Sequence, residues 1–276
     1  MNLGLRILSS LVLLPVTIAA LVLSQWTTLA LVLVVAIFSF LEFGHMVAPE
    51  QAKLRIIFAP LSVIFCLLCM LAPQASTILL LYALLTLGLL AYFTFHPSLN
   101  AAVLEKMSML LFGCSYIGIG VVSIFLLRKY PDGGLSFIFL AITVTASNDT
   151  FAYFAGRTFG RHQLFAAVSQ KKTWEGFAGG AIATVLMPFV LSYVFSLFQI
   201  PFLQDLQTRD ILWIALPAIV LSPLGDLFES RIKRAYHVKD SGHMIPGHGG
   251  FLDRVDALLV IVPWTLAYTS LIRPLW

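Results

Sequence analysis

The residues able to do chemistry gather late in the chain. The segment SPLGDLFESRIKRAYH places Asp226, Glu229, Ser230, Lys233 and Arg234 at i, i+3, i+4, i+7 and i+8, one face of a helix, with Phe228 and Ile232 on the other side. A helix end that has simply left the membrane, its wet face laced with ion pairs, would show the same spacing. Against that, Asp226 and Glu229 directly continue an apolar run, where a central charge costs about 2.5–3.5 kcal/mol even on the milder scale. Carboxylates kept in such a place usually have a cation to bind.

The next segment, KDSGHMIPGHGGFLDRVDALL, carries Gly242, Gly247, Gly249 and Gly250, decorated by Lys239, His243 and His248. Such a loop can bring backbone N–H groups close to phosphate oxygens. Asp253 and Asp256, three apart at the start of an apolar run, share a helix face, with Arg254 beside them. Two carboxylate sets joined by a glycine-rich basic loop suit Mg²⁺ with a polyphosphate, because Mg²⁺ takes one or two carboxylates plus substrate phosphates. Zinc on His237, His243 and His248 is the weaker reading, since no thiolate or H-x-x-x-H pair accompanies them. In SQKKTWEGFAGG, Thr173 is placed to cap a helix whose first turn holds Glu175, leaving Lys171 and Lys172 at a helix N-terminus that attracts anions. Two lysines anchored among lipid headgroups would look the same. Upstream, Ser147, Asn148 and Asp149 interrupt an apolar run, with Tyr153 one turn on, and an intramembrane Asp is a site hypothesis by default.

The elements that position these residues follow from where charge is absent. Only 11% of the 276 residues are charged and 59% are hydrophobic; residues 7–41, 56–104 and 176–204 contain no Asp, Glu, Lys or Arg. Such runs exclude an ordinary soluble domain, a disordered chain and a disulfide scaffold, and predict an all-α, polytopic transmembrane helical bundle. Apolar windows give about nine spans, near 7–24, 27–47, 54–72, 75–95, 107–127, 134–156, 174–199, 211–230 and 255–274. Residues 1–133 read as scaffold and lipid contact; residues 134–276 read as the catalytic part, with polar loops 157–173 and 231–254. Placing the N-terminus in the cytoplasm puts 13 of the 17 Lys and Arg on that side, with Arg128 and Lys129 the awkward exceptions. Cys66 and Cys69 fall mid-span and read as packed small hydrophobes rather than a redox pair. The net charge of +4 is too small to point to nucleic acid.

Residues 230–256 then carry a resemblance. Ser230-x-x-Lys233-Arg234, Lys239-Asp240-x-Gly242 and Pro246-x-His248-Gly249-Gly250-x-x-Asp253-Arg254-x-Asp256 resemble the signature of the phosphatidate cytidylyltransferase family. Asp149, Tyr153, Gly156 and Gly160 resemble its D-x-x-A-Y-x-x-G-x-x-x-G stretch, and SQKKTWEG its S-P-K-K-T-x-E-G, with Gln170 where proline is usual. The motifs cover about 110 residues. The resemblance implies CMP transfer from CTP to phosphatidic acid with Mg²⁺, giving CDP-diacylglycerol and pyrophosphate at the cytoplasmic face of a bacterial inner membrane. It implies homodimerisation too, whereas an accompanying monovalent cation has no sequence signal of its own. Asp226 and Asp253 are the expected principal metal ligands, with Asp256, Glu229 and Asp149 beside them. Lys233, Arg234, Lys171 and Lys172 are expected to hold phosphates, and Thr173, Ser230, Lys239, Asp240, His248, Gly249, Gly250 and Arg254 to complete the CTP site. A polyprenol kinase or an ether-lipid cytidylyltransferase would share that nucleotide site. An anion transporter would spread its charges along a path through the membrane; here the early spans offer almost no ionisable residue besides Glu42.

Overall fold

The computed structural model describes residues 3–95, 100–165, 169–200, 202–203, 205–242, 244 and 249–275. The apolar runs are helical, as a chain in lipid requires: a helix satisfies every backbone N–H and C=O within itself. The order is α1 (Leu3–Leu23), α2 (Gln25–Val47), α3 (Ala52–Leu71), α4 (Ala75–Phe95), α5 (Ala101–Arg128) and α6 (Gly134–Phe159). A two-stranded antiparallel ladder follows, β1 (Gln163–Phe165) and β2 (Ser169–Thr173). Then come α7 (Trp174–Leu197), α8 (Thr208–Ala235), the short α9 (Leu252–Val255) and α10 (Leu258–Ala267), which runs on through a wider turn at Tyr268–Ile272. Each expected span falls on a helix, and α2, α5, α6, α7 and α8 are long and apolar enough to cross a membrane. The loop expected at 157–173 instead contains the ladder.

Local chemistry sets the helix ends. Ser24 and Thr27 cap the start of α2 reciprocally, so that Ser24 alone separates that helix from α1. Thr173 caps α7 as expected, its hydroxyl accepting from the Gly176 N–H at 3.1 Å. Beyond α8, His237 adopts a left-handed φ of 56°, with Val238 N–H bonded to Lys233 O and His237 N–H to Arg234 O. That pair of bonds is the usual way a helix stops and turns.

Two apolar clusters hold the bundle together. One gathers Phe137, Leu140, Ile214, Ala218 and Ile261 from α6, α8 and α10. The other joins Phe40, Phe43 and Ile117 of α2 and α5 to Ile232, Leu252 and Leu259 of α8, α9 and α10, tying the N-terminal helices to the ends that carry the polar residues. At the far end, Arg128 Nε donates to Leu21 O at 2.9 Å, and Arg273 lies 3.5 Å from the fully buried Asp210, which also accepts from Tyr268 at 2.6 Å. Arg128 and Arg273 are thus helix-end and carboxylate partners, which explains two basic residues on the sparsely charged side.

Antiparallel α6 and α7 touch through small residues. A side chain on Gly179 would overlap Ala155, and Gly156 and Gly176 sit backbone to backbone. Asn148 Nδ2 donates to Thr184 across the same seam at 3.0 Å. Close approach of this kind replaces the hydrophobic drive that is missing between helices in lipid. Gly179→Val is expected to push the helices apart and cost about 1–3 kcal/mol. Thermal unfolding in detergent checks this, and an unchanged midpoint would contradict the contact.

Candidate active site

The C-terminal ends of α6, β2 and α8 and the N-terminal ends of α7 and α9 converge on a cavity of about 440 Å³. Its charged lining is Asp149, Lys172, Asp226, Glu229, Lys233, Asp240, Asp253, Arg254 and Asp256; Tyr153, Leu164, Phe177 and Pro223 give it an apolar wall. Each half of this combination has a structural cause. The glycine-lined α6–α7 seam brings Thr173 and Lys172 beside the end of α6. Gly225 lets α8 approach the Asp256 backbone, where a Cβ would stand 2.8 Å from Asp256 O. Tyr116 of α5 donates to that same carbonyl at 3.0 Å and packs edge-on against Phe228.

The carboxylates are held by lysines. Lys233 Nζ lies 2.6 Å from Glu229 Oε2 and 2.7 Å from Asp253 Oδ1, and Lys172 Nζ lies 2.7 Å from Asp226 Oδ2. Ser230 donates to Asp226 Oδ1 at 3.4 Å. Asp253 also accepts from the backbone N–H of Gly250 at 2.9 Å and of Ser241 at 3.1 Å. Burial pushes the Asp253 carboxyl up, but the hydrogen bonds from Lys233 and from the Gly250 N–H outweigh it and hold the group below the usual carboxylate range. Asp253 is therefore an anion at neutral pH. Gly249 needs its left-handed φ of 81°, and a side chain there would stand 2.8 Å from Asp253 Oδ2.

Among the described residues no three His, Cys, Asp or Glu side chains already converge as a metal-coordinating set. The donors nonetheless suit a hard cation. Glu229 is 1% exposed, and its Oε1 has no hydrogen-bond partner. Asp149, Asp226 and Asp256 face the same space, so the lining is rich in carboxylate oxygen, the ligand type that Mg²⁺ takes.

Most of the residues expected from the sequence meet here. Five described ones do not line the cavity: Ser230 acts through Asp226, Arg234 turns outward toward Val238 O at 3.4 Å, Lys239 is exposed, and Gly249 and Gly250 sit against the Asp253 carboxylate. His243, His248 and the side chain of Lys171 lie outside the described residues. Sequence reasoning missed the contributions of α2 and α5. It placed Glu175 in the first turn of α7 but missed its role: the carboxylate accepts from the Arg161 and His162 N–H groups at 3.1 and 3.3 Å and pins the ladder to α7. For Glu42 a signal did exist, a lone carboxylate within a charge-free run.

Fold and cavity define a class: an apolar helical bundle with its polar chemistry concentrated at one end. Residues 4–272 match the cytidylyltransferase family, and the chain belongs to that family. It is 37% identical to a phosphatidate cytidylyltransferase of Bacillus subtilis over 165 residues, covering 60% of this chain and 59% of the relative. Proteins of the same description from Staphylococcus saprophyticus and Thermotoga maritima are 40% identical over 157 residues and 39% over 139. These stretches cover 55% and 50% of this chain, and 55% and 51% of the relatives. The chain thus spans between half and three fifths of the length of the curated relatives it matches.

Proposed function

We propose that the chain transfers CMP from CTP to phosphatidic acid, giving CDP-diacylglycerol and pyrophosphate. The observation that carries this reading is a cavity that offers carboxylates and lysines together beside an apolar wall. A nucleoside triphosphate and an anionic lipid head need both.

The lipid phosphate monoester has a second pKa of about 6, by analogy with phosphoserine, so at neutral pH it is already a nucleophile. One of its oxygens attacks the α-phosphorus of CTP, the bond to the bridging oxygen of the β-phosphate breaks, and pyrophosphate leaves with that electron pair. No general base is required. The protein must align the two substrates and balance developing charge. Lys172, Lys233 and Arg254 are placed to hold phosphate oxygens, while Tyr153, Phe177 and Pro223 face the lipid. Asp226, Asp253, Asp256, Glu229 and Asp149 would hold Mg²⁺. When bound, the ion supplies neutralisation of polyphosphate charge. The excess of Lys and Arg at the loops around the cavity supports a cytoplasmic opening, where CTP is found.

Purified protein supplied with CTP labelled at either the α- or the γ-phosphorus tests the reading. Phosphatidate, its ether analogue and a polyprenol serve as acceptors, with and without Mg²⁺. The expected result is Mg²⁺-dependent appearance of the α-label in a phosphatidate product. Label from the γ-position in a polyprenol would indicate a kinase instead. Uptake of a labelled anion into proteoliposomes without CTP turnover would indicate a transporter.

A further inference from the structure

Glu42 lies near the end of α2, about 200 residues before the glycine-rich loop, yet it is built into that loop. Its Oε2 accepts from the Ser241 hydroxyl at 3.1 Å and the Leu252 N–H at 3.0 Å, and its Oε1 accepts from the Phe251 N–H at 3.0 Å. Glu42 is 6% exposed. Every contact runs from a donor to a carboxylate oxygen, the pattern of an acceptor-only group. Ser241 enters the loop and Phe251 and Leu252 leave it, so one carboxylate closes the neck. One turn earlier on α2, Phe38 stacks on Phe251 with ring centroids 4.8 Å apart.

The glycines fit this clasp. A Cβ on Gly242 would stand 2.5 Å from Glu42 Oε1, and one on Gly250 would stand 2.5 Å from Oε2. Their missing side chains make room for the carboxylate, whatever else the loop binds. Across the same neck Asp253 accepts from the Ser241 and Gly250 N–H groups while presenting itself to Lys233 and the cavity. Ser241 is thus gripped through its hydroxyl by Glu42 and through its N–H by Asp253.

We propose that Glu42 is a positioning residue for the nucleotide side of the reaction: by clasping both ends of the loop it fixes the place of Asp253 in the cavity. The inference rests on the CMP-transfer reading for its kinetic consequence, though not for the clasp itself. Among the described residues the hydrogen bonds to Glu42 come from Ser241, Phe251 and Leu252, none of them in the apolar wall of Tyr153, Phe177 and Pro223 proposed to face the lipid. Loss of Glu42 therefore acts on CTP and spares phosphatidate.

Glu42→Gln keeps the shape but turns an NH₂ toward backbone N–H donors. A misplacement of about 1 Å can cost about 10²-fold, so kcat/KM for CTP is expected to fall by about that factor, with the KM for phosphatidate within about twofold of wild type. Amide hydrogen exchange in the peptide covering 241–255 is expected to speed up, with α3 and α7 unchanged. Ser241→Ala removes one of the three contacts, and about a tenfold loss in the same direction is expected. Wild-type CTP kinetics and exchange in Glu42→Gln would overturn the proposal. So would an equal loss toward both substrates with faster exchange throughout, which is what a merely structural role would produce. If Glu42→Gln does not assemble, Ser241→Ala decides: a CTP-selective defect supports the clasp and wild-type behaviour overturns it. Because the exchange measurement needs no substrate, it still reads the clasp in a wild-type protein that fails to transfer CMP, a failure that would count against the functional reading alone.

Discussion

Asp253→Asn is expected to lower CMP transfer by about 10²–10³-fold, the order seen when one preorganised charge-stabilising group is removed. The carboxylate accepts from Lys233 Nζ at 2.7 Å, from Gly250 N–H at 2.9 Å and from Ser241 N–H at 3.1 Å. An amide can match only part of that set, and its NH₂ would face donors. It also removes an anion kept charged at neutral pH from a cavity proposed to hold a cation. Apolar burial in the two clusters is untouched, so membrane insertion and helix content should be unchanged. Turnover of the variant and wild type at matched membrane content checks this, and near-normal activity would defeat the assignment of Asp253.

Lys233→Met should instead be a stability lesion as well as a catalytic one. Lys233 is 12% exposed at its side chain and bridges Glu229 at 1% and Asp253 at 7%. Removing the shared cation leaves two buried carboxylates without it, and breaking a buried pair costs about 3–5 kcal/mol. A markedly lower unfolding midpoint in detergent is expected. Adding Glu229→Gln should recover part of the stability without recovering turnover, a coupling that a double-mutant cycle measures. Lys172–Asp226 makes the contrast. Its side chains are 25% and 36% exposed, where such pairs are worth about 0–1 kcal/mol. Lys172→Met should therefore leave the midpoint nearly unchanged and act on turnover alone.

The helices were legible because their cause is local. Apolar windows of span length predict helices at 75–95 and 54–72, and the chain forms them at Ala75–Phe95 and Ala52–Leu71. The polar face of α8 was legible for the same reason: i, i+3, i+4 spacing fixes which side chains meet, and Lys233 does pair with Glu229. The motif glycines were visible without their purpose. Gly156 and Gly160 crowd Thr173 and α7, while Gly242 and Gly250 crowd Glu42, reasons that lie in packing partners far away in sequence. The ladder at 163–173 escaped because QLF and SQKKT show no alternation of apolar and polar residues. Lys172 read as an anion site; its partner Asp226 lies 54 positions on, a distance that no periodicity bridges.

The most direct measurement of the central claim is transfer of label from α-labelled CTP to phosphatidate by the purified wild-type protein and by Asp253→Asn. Labelled lipid together with pyrophosphate, formed by the wild type and reduced by about 10²-fold or more in the variant, is the predicted result. No labelled lipid from the wild type, or equal amounts from both proteins, would contradict it.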